Sequence, residues 1–257
     1  MKRAVVVLVL VLAALAPLRA QAQLRQQDLV DRATLTVQGM MAAREGRDAI
    51  GLMRRARGVL VCPQVFKAGF VFGGQGGNCV LTGRSPSGWS NPAFYDLSAA
   101  SFGAQVGMQD SQVLFIILTD RGLQAIIDDQ FKFGADAGLA FATLGTGVSG
   151  STTGALKADV VAFARSRGLF AGLSVDGSLI TVKSDWNAAY YGKTIAAQQL
   201  VIQNEGSNPG AAPLREMLAR FSGSVAPPAN GESPPVAPTY GTAAPNAPVS
   251  SAPLPGR

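Results

Sequence analysis

The sequence predicts an α+β fold: one compact domain with a mainly antiparallel, glycine-rich β-sheet or partial barrel, flanked by N- and C-terminal helices. Three observations lead to this prediction. An apolar stripe with helical spacing runs through residues 24–56, apolar runs of strand length separated by glycines fill residues 58–182, and helical patterns return in residues 186–221. About 200 residues are enough to bury one sizeable core.

The first 22 residues have the features of a secretory signal peptide. Lys2 and Arg3 form a positive start, residues 4–18 are apolar, and Ala20 and Ala22 provide an A-x-A cleavage site. The sequence therefore predicts export to the periplasm or cell envelope of a Gram-negative bacterium. An uncleaved membrane anchor is the alternative, although the apolar run is short for a span of roughly 20 residues.

The mature chain is predicted to be only mildly basic. The leader contains three basic residues and no acidic one, so its removal lowers the formal charge from +6 to +3. This bias is too weak to indicate a nucleic-acid partner. It suits attraction to an anionic surface if the charges share one face.

Residues 24–56 are predicted to form two helices, with Gly46 breaking the segment between them. The apolar stripe of the first helix consists of Leu29, Ala33, Val37 and Met40. The second helix is predicted to use Ile50, Met53 and Ala56, and its other face carries three arginines, Arg54, Arg55 and Arg57. They are expected either to be solvated or to meet phosphate groups, and the solvated alternative is favoured.

Strands are predicted from residue 58 onward. The apolar run Val59–Val61 ends before Pro63, and the glycine-rich stretch Gly73–Gly77 is predicted to be a turn or bulge. Val113–Leu118 is apolar at every position, so we expect it near the centre of the sheet with both faces buried. Further strands are predicted at Phe70–Phe72, Val80–Leu81, from Ala104, and over Phe131–Leu144, Asp159–Ala164 and Leu169–Val182.

Short helices are predicted at four further places. Asp120 is expected to cap a helix that buries Leu123, Ile126 and Ile127. The others are predicted at Trp186–Tyr191, capped by Ser184 or Asp185 and ended by Gly192, at Thr194–Gln203 and at Leu214–Phe221.

The composition changes after Phe221. Residues 222–257 hold nine of the chain's 15 prolines and are otherwise rich in alanine and serine. Such a segment has too few large apolar side chains to offset the entropy lost on ordering, so it is predicted to be a disordered tail. The sequence thus predicts a leader at 1–22, one domain at 23–221 and a tail at 222–257.

Cys62 and Cys79 are the chain's only cysteines, and they lie on neighbouring predicted strands. Export to an oxidising compartment would permit a disulfide, which closes a short loop and stabilises by roughly 3 kcal/mol. Two small buried thiols are the alternative, because the strand register decides whether the two Cβ atoms meet.

The residues that carry common enzyme chemistry are missing or scattered. The chain has no histidine, which excludes Ser-His-Asp and Cys-His sites and most zinc sites. Gly145–Gly150 has G-x-G-x-x-G spacing but lacks a good helix start and an acidic residue about 20 positions later. No metal, cofactor or enzymatic activity is predicted. A hydrolase using Asp136, Asp159 and Asp176 is the least favoured alternative.

Five short motifs occur in a fixed order along the chain. They are GWSNPAFY at Gly88–Tyr95, SFGAQVG at Ser101–Gly107, FKFGAD at Phe131–Asp136, SRGLFAG at Ser166–Gly172, and Asp185–Gly192 with its Tyr190–Tyr191 pair. This series resembles the SYLF domain family over roughly Leu24–Gln203. The family is a lipid-binding module of bacterial envelope proteins and of eukaryotic membrane-trafficking and actin-patch proteins.

The resemblance implies a lipid ligand, and cations and aromatics near predicted loops are candidates to bind it. Guanidinium and ammonium groups would pair with lipid phosphates while Trp89, Phe94 or Phe170 approaches the acyl boundary. Arg165–Gly168 is predicted to be a compact turn that wraps a phosphate. The predicted lipid-binding residues are Lys67, Arg84, Trp89, Lys132, Arg165, Ser166, Arg167 and Lys183.

The leading hypothesis is therefore a non-catalytic envelope protein that binds anionic phospholipid, phosphoinositide-like or lipid A-like head groups. Eukaryotic members of the family are associated with phosphoinositides and some with actin, but an exported protein would meet neither routinely. The sequence thus predicts no actin partner. The alternative is a structural or adaptor protein that reaches an envelope partner through its proline-rich tail.

Overall fold

The computed structural model describes residues 23–43, 46–69, 72–102, 107–128, 131–132, 141–145, 158–168 and 177–223. The chain divides into two units, Met1–Pro227 and Pro228–Arg257, and every described residue lies in the first. The predicted leader and all but two residues of the predicted tail fall outside the described residues, so the domain boundaries stay predictions. Among the described residues, no helix is both long and apolar enough to span a bilayer.

Two N-terminal helices form where the apolar stripe predicts them. Helix α1 covers residues 23–42 and α2 covers Gly46–Met53, so Gly46 separates them as expected. The α1 stripe packs on the sheet, with Val30, Ala33 and Val37 completely buried. This burial, rather than helix propensity alone, stabilises such helices in water.

Within the described ranges, nine strands form one sheet. They are β1 (Gly58–Gly69), β2 (Phe72–Ser85), β3 (Gly88–Trp89), β4 (Ala93–Phe102), β5 (Gly107–Ile117), β6 (Phe131–Lys132), β7 (Phe141–Gly145), β8 (Val160–Gly168) and β9 (Leu179–Val182). Their order is β6-β9-β4-β2-β1-β5-β8-β7, with β3 paired to β2. Only the β7–β8 pair is parallel among the described strands. The predicted α+β fold with a mainly antiparallel sheet is confirmed.

Helices cover both faces of this sheet. The remaining helices are α3 (Asp120–Ile127), α4 (Ser184–Tyr191), α5 (Ala197–Val201), a 3-10 turn (Pro209–Ala211) and α6 (Ala212–Ser222). One core joins α1, α2, α4 and α6 to the first face of the sheet. A second core joins α3 and α5 to the other face. Strand residues of β1 and β5 therefore enter the two cores alternately.

The sheet has two unlike ends. We call residues 58–62 of β1 and 113–117 of β5 the covered end, because every one of them is buried. We call residues 66–69 of β1, 72–77 of β2, 107–111 of β5 and 165–168 of β8 the glycine-rich end. The prediction that Val113–Leu118 lies inside the sheet with both faces buried is confirmed for residues 113–117, since β5 lies between β1 and β8.

Two strand predictions are wrong. Gly73–Gly77 is neither a turn nor a bulge but a regular part of β2, paired with β1 and in unbroken register with β4. At Gly77 a Cβ atom would overlap the backbone carbonyl of Gln64, so glycine is needed for this close approach of two strands. Phe131–Leu144 is not one strand, because β6 and β7 lie at opposite edges of the sheet.

Several predicted helix bounds also differ from the structure. Helix α2 ends at Met53 and not at Ala56, and α5 begins at Ala197 and not at Thr194. The N-cap of α3 is Thr119, whose hydroxyl accepts a hydrogen bond from the Gly122 amide at 3.1 Å, and Asp120 is the first helical residue. The N-cap of α4 is Lys183, without a side-chain cap. The predicted end of α4 at Gly192 is confirmed, since this residue has φ 69°, the left-handed conformation that glycine favours.

Candidate functional site

The structure separates the eight residues predicted to bind lipid into three groups. Four lie on β1 and β8 at the glycine-rich end, namely Lys67, Arg165, Ser166 and Arg167. Arg84 and Trp89 lie near the other end of the sheet, on β2 and β3. Lys132 and Lys183 lie on β6 and just after β9. β6 and β8 are six positions apart in the sheet order, so one binding surface does not include all eight.

The predicted aromatic membrane contacts are wrong for Trp89 and Phe94. Trp89 is 1% exposed, and its indole Nε1 donates a hydrogen bond to Ser222 Oγ at 3.0 Å. Phe94 is fully buried, with its ring 5.1 Å from that of Tyr190. Both side chains hold helices against the sheet and do not reach the surface. Phe170 lies outside the described residues.

Lys183 has a role within the fold. Its Nζ donates a hydrogen bond to Asn78 Oδ1 at 3.0 Å and lies 4.1 Å from the centre of the Trp186 ring. It also acts on Asp96: burial raises the pKa of that carboxyl group above its ordinary value of 3.8, and the charge of Lys183 partly opposes the rise. A cation engaged in this way is poorly placed to bind a head group.

Arg165–Gly168 is a strand and not the predicted turn. Successive side chains of a strand point to opposite faces, so Arg165 and Ser166 do not wrap one phosphate. Ser166 Oγ instead accepts hydrogen bonds from Gln109 Nε2 at 2.7 Å and Ser111 Oγ at 3.0 Å. Arg165 and Ser166 are both exposed, and the side chain of Arg167 lies outside the described part of the chain.

Cys62 and Cys79 form a disulfide. The two residues are fully buried, and their Cα atoms are 4.2 Å apart on the neighbouring strands β1 and β2. The bond decides between the two alternatives left open by the sequence. It also links β1 to β2 at Cys62, the last residue of β1 before its pairing with β5 becomes irregular.

A β-bulge follows directly in β1. Cys62 pairs with Val113 of β5, but Val65 already pairs with Ser111, so β1 contains one extra residue there. The extra residue reverses the alternation of side chains beyond it. Phe66 consequently shares the first face of the sheet with Asp110, its direct partner on β5.

A surface pocket of about 320 Å³ opens between α1 and this part of the sheet. Gln112 Nε2 donates a hydrogen bond to Thr36 Oγ1 of α1 at 3.4 Å, and Gln64 Nε2 donates to Asp110 Oδ2 at 3.1 Å. The pocket is lined by Arg32, Leu35, Thr36, Pro63, Gln64, Asp110, Ser111, Gln112 and Arg165.

Large apolar side chains are exposed around this pocket. Leu35 is 66% exposed, Phe66 is 47% exposed and Met108 is 65% exposed. Met108 lies two residues before Asp110 on β5, so it shares a face with Phe66. These are three of the five large hydrophobic residues that are exposed among the described residues. We call the surface formed by Arg32, Leu35, Phe66, Met108 and Arg165 the amphipathic patch.

The charged groups in and beside the amphipathic patch differ in whether neighbouring residues already pair with them. Arg32 forms an i,i+4 ion pair with Asp28, with Nε 3.0 Å from Oδ2. The carboxylate of Asp110 accepts the Gln64 amide, so it is partly satisfied. No hydrogen bond or ion pair of the Arg165 guanidinium is found among the described residues, and this guanidinium is free to meet an anion.

The sequence did not indicate most of the patch. Arg32, Leu35, Phe66 and Met108 were not predicted. For Phe66 the reason is the bulge that turns its side chain to the first face, because Pro63 is the only local sign of that bulge in the sequence. Among the described residues, no three histidine, cysteine, aspartate or glutamate side chains are placed to hold a metal ion. The patch has the composition of a binding surface.

The chain is similar to proteins that are named for binding. The family model described as "Las17-binding protein actin regulator" matches residues 98–221. Protein YSC84 of Saccharomyces cerevisiae is 29% identical over 172 residues, which are 65% of this chain and 36% of that protein. SH3 domain-containing YSC84-like protein 1 of Homo sapiens is 28% identical over 187 residues, which are 71% of this chain and 54% of that protein. The chain thus spans between about a third and about half of these relatives.

Proposed function

We propose, from the premise that this chain belongs to the SYLF domain family, that it is a non-catalytic binding protein that docks on anionic lipid surfaces through the amphipathic patch. The observation that carries the proposal is that exposed Phe66 and Met108 lie on the same face of the sheet as Arg165, and that exposed Leu35 lines one pocket with Arg165. The Arg165 guanidinium has no hydrogen bond or ion pair among the described residues. Exposed apolar groups bordered by cations are typical of surfaces that bind membranes.

The magnitudes favour apolar contact as the main contribution to binding. Burying a phenylalanine, leucine or methionine side chain contributes about 1.5 to 3 kcal/mol. A cation near an anionic membrane surface contributes about 1 kcal/mol, and salt weakens this contribution. Arg165 therefore selects for anionic lipid, while Phe66 and Met108 supply most of the affinity.

We further propose that the protein acts at the cell envelope after export. The buried disulfide between Cys62 and Cys79 supports this location, because such bonds persist in oxidising compartments and are rare in the cytosol. The lipid would be an anionic phospholipid, phosphoinositide-like or lipid A-like in its head group. Lipid extraction of the purified protein, followed by mass spectrometry, would identify this lipid.

Vesicle co-sedimentation with paired variants tests the patch. The double variant Phe66→Ser/Met108→Ser removes two side chains that are 47% and 65% exposed, and Leu24→Ser/Ile202→Ser removes two that are 66% and 46% exposed elsewhere. With vesicles of equal parts phosphatidylglycerol and phosphatidylcholine, we expect the first variant to bind at least about tenfold more weakly. The control variant should bind like the wild type.

A second pair of variants tests what the positive charge of Arg165 contributes to vesicle binding. Arg165→Gln should reduce binding to the mixed vesicles while leaving binding to pure phosphatidylcholine unchanged, whereas Arg25→Gln, on the exposed side of α1, should affect neither. Added salt should remove the difference between wild type and Arg165→Gln. Equal binding of all variants to neutral vesicles in high salt would contradict the proposal.

A protein partner is the second candidate, and the names of the relatives favour it. The matching family is described as Las17-binding, and LAS seventeen-binding protein 3 of Saccharomyces cerevisiae is 28% identical over 171 residues. These names apply to longer proteins, and the expectation that this chain lacks an actin partner stays a prediction. Pull-down and vesicle co-sedimentation are compared for the full chain and for a variant that ends at Gly223. Loss of protein partners with unchanged vesicle binding would assign adaptor binding to the tail and vesicle binding to the patch.

A further inference from the structure

We infer that a second site, distinct from the amphipathic patch, binds anions that carry two or more adjacent phosphate groups. It is formed by Arg54, Arg55, Arg57 and Arg84, which we call the arginine pocket. These four residues line one surface cavity of about 850 Å³. The remaining lining residues in the described part of the chain are Ala56, Ser85, Pro86, Gly88 and Leu118, and none of these has a carboxylate.

The backbone beneath the arginine pocket is fixed by hydrogen bonds. The Arg57 amide donates to the Ile117 carbonyl at 2.7 Å, and the Arg84 amide donates to the Arg57 carbonyl at 2.8 Å. These bonds extend the ladder of β1, β2 and β5 by one residue beyond Gly58. Two arginines that are 27 positions apart in sequence therefore lie side by side on a rigid frame.

One guanidinium also connects the frame to α2. Arg84 Nη1 donates a hydrogen bond to the Arg54 carbonyl at 2.7 Å, directly after the last turn of α2. Carbonyl groups at a helix C-terminus lack partners within the helix and attract cations. This bond uses one of the five N–H donors of Arg84 and leaves the others available.

The fold neutralises little of this charge. Arg57 Nε is 3.5 Å from Asp120 Oδ1, and both side chains are more than half exposed, so the pair contributes little. No side-chain hydrogen bond or ion pair of Arg54 or Arg55 is found among the described residues. Four positive groups held together without matching carboxylates repel one another, and a multiply charged anion would relieve this repulsion.

The chemistry of the lining points to clustered phosphates. Guanidinium groups bind phosphate oxygens in pairs of parallel hydrogen bonds, and several of them around one concave surface suit an anion with several oxygens. The volume lies within the roughly 300 to 1,000 Å³ of small-molecule sites. A single carboxylate would leave most of the donors unused.

The arginine pocket and the amphipathic patch are separate sites. Leu118, the residue after β5, lines the first, and Asp110 and Gln112 line the second, so the two sites are six to eight positions apart along this strand. At about 3.3 Å per residue this is roughly 20 to 26 Å along the strand. One small ligand does not reach both sites.

Calorimetric titration of the full chain with inorganic tripolyphosphate tests the inference. The variant Arg54→Gln/Arg55→Gln removes two exposed guanidiniums that have no hydrogen bond or ion pair within the described part of the chain. The control Arg25→Gln/Arg220→Gln removes the same charge from exposed positions on α1 and α6. We expect the first variant to lose at least about tenfold in affinity, because it loses charge-assisted hydrogen bonds to the phosphate oxygens. The control should keep wild-type affinity.

Competition separates a soluble phosphate ligand from a lipid head group. The vesicles are phosphatidylcholine with added phosphatidylinositol 4,5-bisphosphate, whose head group carries adjacent phosphates. If the ligand is soluble, Arg54→Gln/Arg55→Gln keeps wild-type binding to these vesicles. If it is a head group, the variant loses binding to them and tripolyphosphate displaces the wild type. Either result supports a phosphate site. Absence of tripolyphosphate binding, or equal losses in the variant and the control, overturns it.

Discussion

On β5, residues Val113–Ile117 at the covered end have no exposed surface, whereas Met108 at the glycine-rich end is 65% exposed. Neighbouring β1 shows the same contrast, since Val59 is fully buried and Phe66 is 47% exposed. The same strands thus pass from a region packed between helices on both faces to one where large apolar groups meet solvent.

The contrast shows how the molecule divides stability from binding. At the covered end each apolar side chain is enclosed, and its burial contributes about 25 cal/mol per Å² to folding. At the glycine-rich end Phe66 and Met108 contribute little to folding because they stay exposed. Side chains of this kind are better explained by a partner that covers them.

The largest expected effect comes from comparing one alanine variant at each end of the sheet. Phe115→Ala removes a fully buried ring and should lower the free energy of unfolding by about 3 to 5 kcal/mol. Met108→Ala should change it by less than about 0.5 kcal/mol. Urea denaturation followed by circular dichroism measures both. Equal losses in the two variants would show that the glycine-rich end is packed as tightly as the covered end.

The disulfide lies where the two ends meet, and its removal should rank second. Cys62→Ala/Cys79→Ala opens a link between residues separated by 17 positions, which should cost about 3 kcal/mol of stability. Reduced wild type should resemble the variant in urea denaturation. If complete reduction, verified by mass spectrometry, leaves the unfolding midpoint unchanged, the disulfide does not stabilise the folded state.

Glycines of the glycine-rich end should not be equivalent. Gly77→Ala places a Cβ against the Gln64 carbonyl at the bulge and should destabilise by about 1 to 3 kcal/mol. Gly76→Ala has 3.6 Å to its nearest neighbour, the Leu97 carbonyl oxygen. It should be neutral or stabilise by up to about 1 kcal/mol, because alanine restricts the unfolded chain. Thermal unfolding of both variants distinguishes a required close approach from a general preference for glycine.

Asp96 gives the smallest expected effect, which appears as a pH dependence. Burial raises its pKa above 3.8, so between that value and the raised pKa the folded state binds more protons than the unfolded state. Stability due to this group is therefore highest at low pH and falls as pH rises through that window. Asp96→Asn should remove this fall. Parallel unfolding curves of variant and wild type across the window would contradict the assignment.

Much of the fold could be predicted from local patterns. The stripe containing Val37 predicted α1, the continuous apolar run predicted a doubly buried β5, and Gly192 predicted the end of α4. The caps were harder, because Thr119 and Asp120 are both good N-cap residues and only the backbone geometry selects between them.

The candidate site could be predicted only in part. Arg165 and Arg84 were named, but their neighbours depend on pairings between distant segments. Trp89 shows the limit in the other direction, since its partner Ser222 lies 133 residues away and places the indole in the core. An aromatic residue near a turn has no local feature that distinguishes these outcomes.

The sequence by itself determined where most of the helices and strands form, because periodicity and backbone preference act over a few residues. It did not determine that Gly73–Gly77 and Arg165–Gly168 are strands. The tertiary structure decided the strand order, the bulge after Cys62 and the meeting of Arg57 with Arg84. These depend on registers set by packing between residues far apart in the chain. A shift of one residue in such a register moves every side chain to the other face of the sheet.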